Sequence, residues 1–153
     1  MVKMIVFDMD GTIADLYGVE GWLECLMVKD VKPYRDAKPI YDMDVLNTVL
    51  EMLKADGWVI AVTSWLAKNS NNEYDEAVKE VKKAWLNRMD FPYDILNIVS
   101  YGVDKSSVTK DFGGFQILID DEDKNLNDWS NGRSIDAKGN IIEELIKLIE
   151  EER

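Results

Sequence analysis

Two hydrophobic periodicities alternate along the chain. Short apolar runs bounded by charged or turn residues occur at Met4-Ile5-Val6-Phe7, Trp58-Val59-Ile60-Ala61-Val62 and Phe115-Gln116-Ile117-Leu118-Ile119. Continuous runs of this length suit strands buried on both faces. Ile95 to Val99 is a weaker fourth, and Ser134-Ile135 marks a short fifth. Between them the apolar positions adopt helical spacing: Val45, Leu46, Val49, Leu50, Met52 and Leu53; then Tyr74, Ala77, Val78, Val81, Ala84 and Trp85; and finally Ile141, Ile142, Leu145, Ile146, Leu148 and Ile149. In the second of these, the lysines and glutamates are expected on the opposite, solvated face. The first stripe stops at Asp56-Gly57, where glycine suits a helix C-terminus. Strands alternating with helices of this length predict an α/β protein: a parallel sheet with helices on both faces.

The segment 15–41 does not fit this alternation. It carries Pro33 and Pro39 and a short helical pattern through Trp22, Leu23, Leu26 and Met27. In an open parallel sheet the connections after the carboxyl ends of strands form the ligand crevice. An insertion directly after the first strand therefore sits over that crevice as a minimal cap on a single domain spanning 1–153. Tyr17, Trp22, Tyr34 and Arg35 lie in it, and two readings stay open for them: they clamp a substrate's leaving group, or they form a small satellite core. Trp58 and Trp85 read as core, whereas Trp65 and Trp129 follow strand ends and are candidates to line the crevice. Cys25 reads as a small buried residue of the insertion helix.

Composition narrows the chemistry. The 153 residues contain no histidine and one cysteine, and 30 acids against 18 bases leave a formal charge of −12. Serine–histidine and cysteine–histidine catalysis, imidazole-ligated metals and intramolecular disulfides are all excluded. A body this acidic repels nucleic acid and anionic membranes, and no basic cluster stands free of acids to override that field. No apolar run approaches a bilayer-spanning length, and the N-terminus lacks a signal-peptide layout. The expectation is a cytoplasmic protein, monomer or homodimer, that binds a small molecule rather than a membrane or nucleic acid.

Acidic residues cluster at two strand ends. After the first strand comes Asp8-Met9-Asp10-Gly11-Thr12, where alternation places Asp8 and Asp10 on the same side. After the fourth comes Asp120-Asp121-Glu122-Asp123, of which the first two are site candidates and the last two read as a solvated loop. Two unit charges about 4 Å apart repel by about 4 kcal/mol at an effective dielectric near ~20, so such a group implies a bound cation or a retained proton. Oxygen-only ligands suit a hard ion such as Mg²⁺. The second strand ends in Thr63-Ser64-Trp65, and Lys105 opens a short helical stretch before the fourth strand. Carboxylates, hydroxyls, a lysine and a divalent ion together make a phosphate site.

These motifs resemble the haloacid dehalogenase-like superfamily. Asp8-Met9-Asp10-Gly11-Thr12 is similar to its first motif, Thr63 to the second, Lys105 to the third and Asp120-Asp121 to the fourth, in the family's order over nearly the whole chain. The resemblance implies a Rossmann-like sheet of order 5-4-1-2-3 with the site at its carboxyl edge. It also implies Asp8 as a nucleophile forming an aspartyl-phosphate and Asp10 as acid and then base. Mg²⁺ would be held by the Asp8 carboxylate, the Asp10 backbone carbonyl, Asp120 and Asp121, with the last direct or through water. Thr63 and Lys105, with Ser64 beside them, would bind the phosphoryl group. Lys110 competes with Lys105 for the lysine role; Lys105 is preferred because Asp104 before it suits a helix cap. Asp10 disfavours halide chemistry, which needs no leaving-group acid. The Thr63-Ser64 and Asp120-Asp121 pairs resemble small phage and bacterial 5′-nucleotidase-type phosphatases. The implied activity is Mg²⁺-dependent hydrolysis of a nucleoside monophosphate. The alternatives are a polynucleotide end or phosphoprotein as substrate, phosphoryl transfer to an alcohol, and a non-catalytic phosphate- or nucleotide-binding module.

Overall fold

A computed structural model describes residues 1–151. Strands β1 (Lys3–Phe7), β2 (Trp58–Trp65), β3 (Ile95–Val99), β4 (Phe115–Asp120) and β5 (Gly132–Asp136) form one parallel sheet of order β3-β2-β1-β4-β5. This is the expected order, counted from the other edge. The central strands β1, β2 and β4 are almost wholly buried, whereas β3 is half-buried throughout and β5 exposes all but Ile135. Edge strands need fewer apolar residues, which is why the two outer strands are the faint ones in the sequence.

The helices are α1 (Trp22–Met27), α2 (Lys32–Asp36), α3 (Met43–Ala55), α4 (Asn72–Arg88), α5 (Lys105–Thr109), α6 (Asp123–Asp128) and α7 (Ile141–Glu151). Side chains that end the preceding loops cap four of them, Asn140 doing so for α7 by accepting from the Glu143 amide. Asp42 accepts from the amides of Asp44 and Val45, Asn71 from Tyr74, and Asp104 from Ser106. On one face of the sheet Ile5, Phe7, Ile60, Val62, Ile117 and Ile119 pack against α3, α4 and α7. On the other, Met4, Val6, Ala61 and Leu118 pack with Trp129 and Leu126. Trp129 is therefore core rather than crevice lining: it follows α6 on the side away from the opening.

The chain winds outward through β1, β2 and β3, then returns to place β4 on the other side of β1. The crossovers before and after that return lie on opposite faces of the sheet. The β1–β4 junction is thus the topological switch point, where the loops leaving the strands part and open a crevice.

The segment between β1 and α3 holds α1 and α2 and is closed at its base by a two-residue antiparallel ribbon, Ala14–Asp15 with Lys38–Pro39. Leu16 and Tyr34 are buried with Leu66, Tyr74 and Val78, so the cap rests on the first half of α4. The α1 helix buries no residue fully, and Cys25 in it is only partly shielded, against the expectation of a buried thiol.

The α4 helix also departs from expectation. Its buried stripe is Tyr74, Val78, Lys82, Trp85 and Leu86, with Ala77 and Ala84 facing solvent. Small alanines fit either face, so the bulky residues decide the rotation. The consequence is a lysine in the core.

Candidate active site

The β1 and β4 strands, hydrogen-bonded in register from Lys3/Phe115 to Phe7/Ile119, end together. The Asp8 amide still donates to the Ile119 carbonyl at 2.9 Å, which carries the pairing one residue further and sets Asp8 beside Asp120. Beyond Asp8 the chain turns sharply, with the amides of Ile13 and Ala14 both donating to the Met9 carbonyl at 2.9 and 3.0 Å. Gly11 makes this turn possible. Its φ of +83° is left-handed, and a Cβ there would collide with the Asp121 carboxylate.

Asp8, Asp120 and Asp121 each present a carboxylate oxygen, all within 4.8 Å of one another. Lys105, at the start of α5 and 2 % exposed, donates to Asp8 Oδ1 at 2.7 Å and to Asp120 Oδ2 at 2.8 Å. Lys110 faces solvent. The second Asp8 oxygen accepts from the Thr12 hydroxyl at 3.0 Å, and Asp120 also accepts from the Asn125 amide side chain and the Glu122 backbone N–H. The Asp8 carboxylate is thereby held at both oxygens.

Asp10 faces a different partner. Its Oδ2 accepts from Lys82 Nζ at 2.8 Å. Lys82 is 0 % exposed and also donates to Ser64 Oγ at 2.7 Å and to the Trp65 carbonyl at 2.8 Å. Thr63 and Ser64, adjacent on β2, point to opposite faces. The Thr63 hydroxyl accepts from Asn97 at 3.4 Å on the β3 side. Both hydroxyls are fully buried rather than on the cavity wall. Lys82 and Asn125 escaped sequence reasoning; the signal for Lys82 was its spacing of four from Val78 on a helix whose buried face was misjudged.

The carboxyls are displaced from their ordinary values in different directions. Burial pushes Asp8 up, but the charge of Lys105, with hydrogen bonds from Asp121, Lys105 and Thr12, outweighs it and leaves Asp8 lowered. Burial raises Asp10, and Lys82 only partly opposes this. Burial and the charge of Asp8 raise Asp120. Burial, a hydrogen bond shared with Asp8 and the neighbouring carboxylates push Asp121 up to about 8. One lysine therefore does not neutralise three carboxylates, and a proton takes up the excess. A divalent cation would do the same. The donor set is all oxygen, with no nitrogen or sulfur, and fits a hard ion such as Mg²⁺.

Above these groups lies a cavity of about 330 Å³ into which Asp8, Asp10, Asp120 and Asp121 project. Its walls are mostly apolar, with two aromatic pairs. Tyr17 and Trp22 of the cap meet edge-on, ring centres 4.9 Å apart, and Trp65 meets Tyr101 at 5.1 Å on the sheet side. Lys68 stands at the rim near Tyr101. Tyr34 also lines the cavity while belonging to the satellite core, so the satellite-core reading holds for Tyr34, whereas Tyr17 and Trp22 stand on the cavity wall. Arg35 belongs to neither; it is exposed and paired with its neighbour Asp36. Among the described residues no helix is long and apolar enough to cross a membrane.

No family model matches the sequence, and no curated protein matches it. Among solved structures, the D,D-heptose 1,7-bisphosphate phosphatase of Burkholderia thailandensis superposes with a TM-score of 0.59 at 11% identity, over 96% of this chain and 98% of that one. At that identity the likeness is one of fold. The shared fold is the expected α/β one, a five-stranded parallel sheet with helices on both faces.

Proposed function

We propose that the protein is a Mg²⁺-dependent phosphomonoesterase that works through an aspartyl-phosphate on Asp8. One observation carries this reading. Asp8 and Asp10 project into one cavity, yet each is paired with its own buried lysine and they are displaced in opposite directions, Asp8 toward the anion and Asp10 toward the acid. A nucleophile must be ionised and a leaving-group acid protonated at the same pH, and separation of two carboxyls by their surroundings is how one site holds both.

In this mechanism an oxygen of Asp8 attacks phosphorus as the ester P–O bond breaks. Asp10 gives its proton to the departing alkoxide. The acyl phosphate on Asp8 is then attacked by water, which Asp10, now a carboxylate, deprotonates; inorganic phosphate leaves and both residues return to their starting states. Lys105 holds Asp8 in line and offsets charge on the phosphoryl oxygens; the buried Thr63 and Ser64 hydroxyls, bonded to Asn97 and Lys82, support the strand end rather than the phosphoryl group. Mg²⁺ held by Asp8, Asp120, Asp121 and the Asp10 carbonyl would supply further charge neutralisation when bound.

The substrate proposed is a nucleoside monophosphate. Two aromatic pairs line the cavity, Tyr17 with Trp22 from the cap and Trp65 with Tyr101 from the sheet side, and suit a flat leaving group that stacks. The cytoplasm is the expected location, where such esters are abundant.

The test is phosphate release from a panel of nucleotides, sugar phosphates and phosphopeptides in Mg²⁺. Nucleoside monophosphates are expected to be cleaved fastest, with activity lost on Asp8→Asn and on chelation by EDTA. Wild-type protein no more active than Asp8→Asn would reject hydrolysis in favour of a binding module. A preference for sugar phosphates would reject only the nucleotide assignment.

A further inference from the structure

We propose that Lys82 is a positioning residue that aims the Asp10 carboxyl at the leaving-group oxygen; this rests on the phosphomonoesterase reading above. The lysine reaches Asp10 from α4, 72 positions along the chain, and is as completely buried as Val78 and Trp85, which flank it in the buried stripe of the helix. An ammonium has three protons to donate, and here all three have acceptors: Asp10 Oδ2, Ser64 Oγ and the Trp65 carbonyl, at 2.8, 2.7 and 2.8 Å. Its remaining side lies over the Tyr34 ring, 5.0 Å from the centre.

That full complement decides between two roles. A lysine that binds a phosphoryl oxygen needs a donor directed into the cavity, and Lys82 has none to spare. Lys105 serves Asp8 and Asp120 and is the cation on the phosphoryl side. Two of the three Lys82 acceptors belong to the rigid end of β2, so the strand fixes the ammonium and the ammonium fixes Asp10. Asp10 needs such a tether because it lies beyond the last paired residue of β1, on the turn around Gly11, where the sheet no longer holds it. Tyr34 ties the same ammonium to the cap.

A residue that only supported the fold would, when replaced, slow every substrate alike. An aiming residue makes a narrower prediction, because protonation of the leaving group matters only where that group is a poor one. The variant is Lys82→Met, of similar length and without charge. With an alkyl ester such as a nucleoside monophosphate, the first turnover is expected to slow by about 100-fold, the low end of what a general acid contributes. With 2,4-dinitrophenyl phosphate, whose phenolate departs without a proton, the first-turnover burst of phenolate should stay near the wild-type rate. The turnovers that follow should slow, because water attack again needs Asp10. Asp10→Asn should give the same two-substrate pattern, and adding Lys82→Met to it should cost little more. If Lys82→Met does not fold, Lys82→Gln, which keeps two donors, is read in the same way.

Equal loss on both esters, or independent losses that multiply in the double variant, would overturn the positioning role while leaving the phosphatase intact. A wild-type protein that cleaves neither ester would overturn both.

Discussion

The two buried lysines of the site invite comparison, since each sits against one of the two aspartates on the β1 loop. Lys105 approaches from the α5 side of the sheet and lies between two carboxylates, Asp8 and Asp120. Lys82 approaches from the α4 side and meets one carboxylate, one hydroxyl and one carbonyl. The first lysine is outnumbered by the charges around it; the second is matched. That difference assigns their work. A cation facing an excess of negative charge leaves room for a second cation or a proton, which is what a phosphoryl site needs. A cation matched one to one immobilises its partner.

The sharpest way to break the comparison is to remove each ammonium. Lys105→Met leaves Asp8 and Asp120 buried side by side without a counter-charge. Loss of one partner from a buried ion pair costs about 3–5 kcal/mol, against a typical total stability of about 5–15 kcal/mol. Lys82→Met should cost less, about 1–3 kcal/mol, the range for leaving buried hydrogen-bonding groups unpaired, because burial raises the Asp10 carboxyl and, with the ammonium gone, it can take up a proton and become neutral. Urea unfolding in EDTA checks the order. Mg²⁺ should restore part of the stability lost in the Lys105 variant and almost none in the Lys82 variant. Equal losses, or equal rescue, would dissolve the distinction between the two lysines.

A milder perturbation uses pH. In the metal-free protein Asp121 is pushed up to about 8 from an ordinary value of 3.8. A carboxyl raised on folding binds its proton more tightly in the native state, so its contribution to stability is complete below about pH 4 and is lost as pH rises through about 8. The raised Asp10 and Asp120 act in the same direction, while the lowered Asp8 acts only at the acid end. The melting temperature in EDTA should therefore fall between pH 5 and 9. Mg²⁺ must displace the Asp121 proton, so the rise in melting temperature it produces should be small at pH 5 and grow until about pH 8. A Mg²⁺ shift independent of pH would remove Asp121 from the metal's ligands.

The same comparison shows what sequence can and cannot reveal. The Asp8, Asp10 and Asp120 placements were legible because each depends on a short run: a buried strand, its alternation and the residue that follows it. Lys105 was legible because a capping aspartate precedes it. The central strands were plain and the edge strands faint, in proportion to their burial. Lys82 was hidden for the opposite reason. Its partners lie 17, 18 and 72 positions away, and nothing local distinguishes a buried lysine from the solvated ones at Lys79 and Lys83. Trp129 was misplaced because a strand-end position says nothing about which face of the sheet the following helix covers. The rotation of α4 was missed because alanines at 77 and 84 counted equally with the bulky residues that set it.

A third ion pair supplies the smallest expected effect. Arg35 and Asp36 lie in the cap, and their side chains touch at 2.9 Å, in solvent, with 55% and 41% of their surface exposed. The Arg35 guanidinium is raised, and the Asp36 carboxyl lowered, chiefly by the hydrogen bond between them. The distance rivals those of the buried pairs, so geometry alone would rank all three alike. Burial separates them. In water each partner has an equally good alternative in solvent, and salt screens what attraction remains. Arg35 also lies outside the cavity, although its residue type and its place in the cap made it a candidate clamp for the leaving group. Arg35→Ala should leave the unfolding midpoint and the KM for every ester unchanged, with or without added salt. A rise in KM confined to nucleotides would mean that the cap turns this side chain inward over the substrate, and the separation between site and surface would then have to be redrawn at α2.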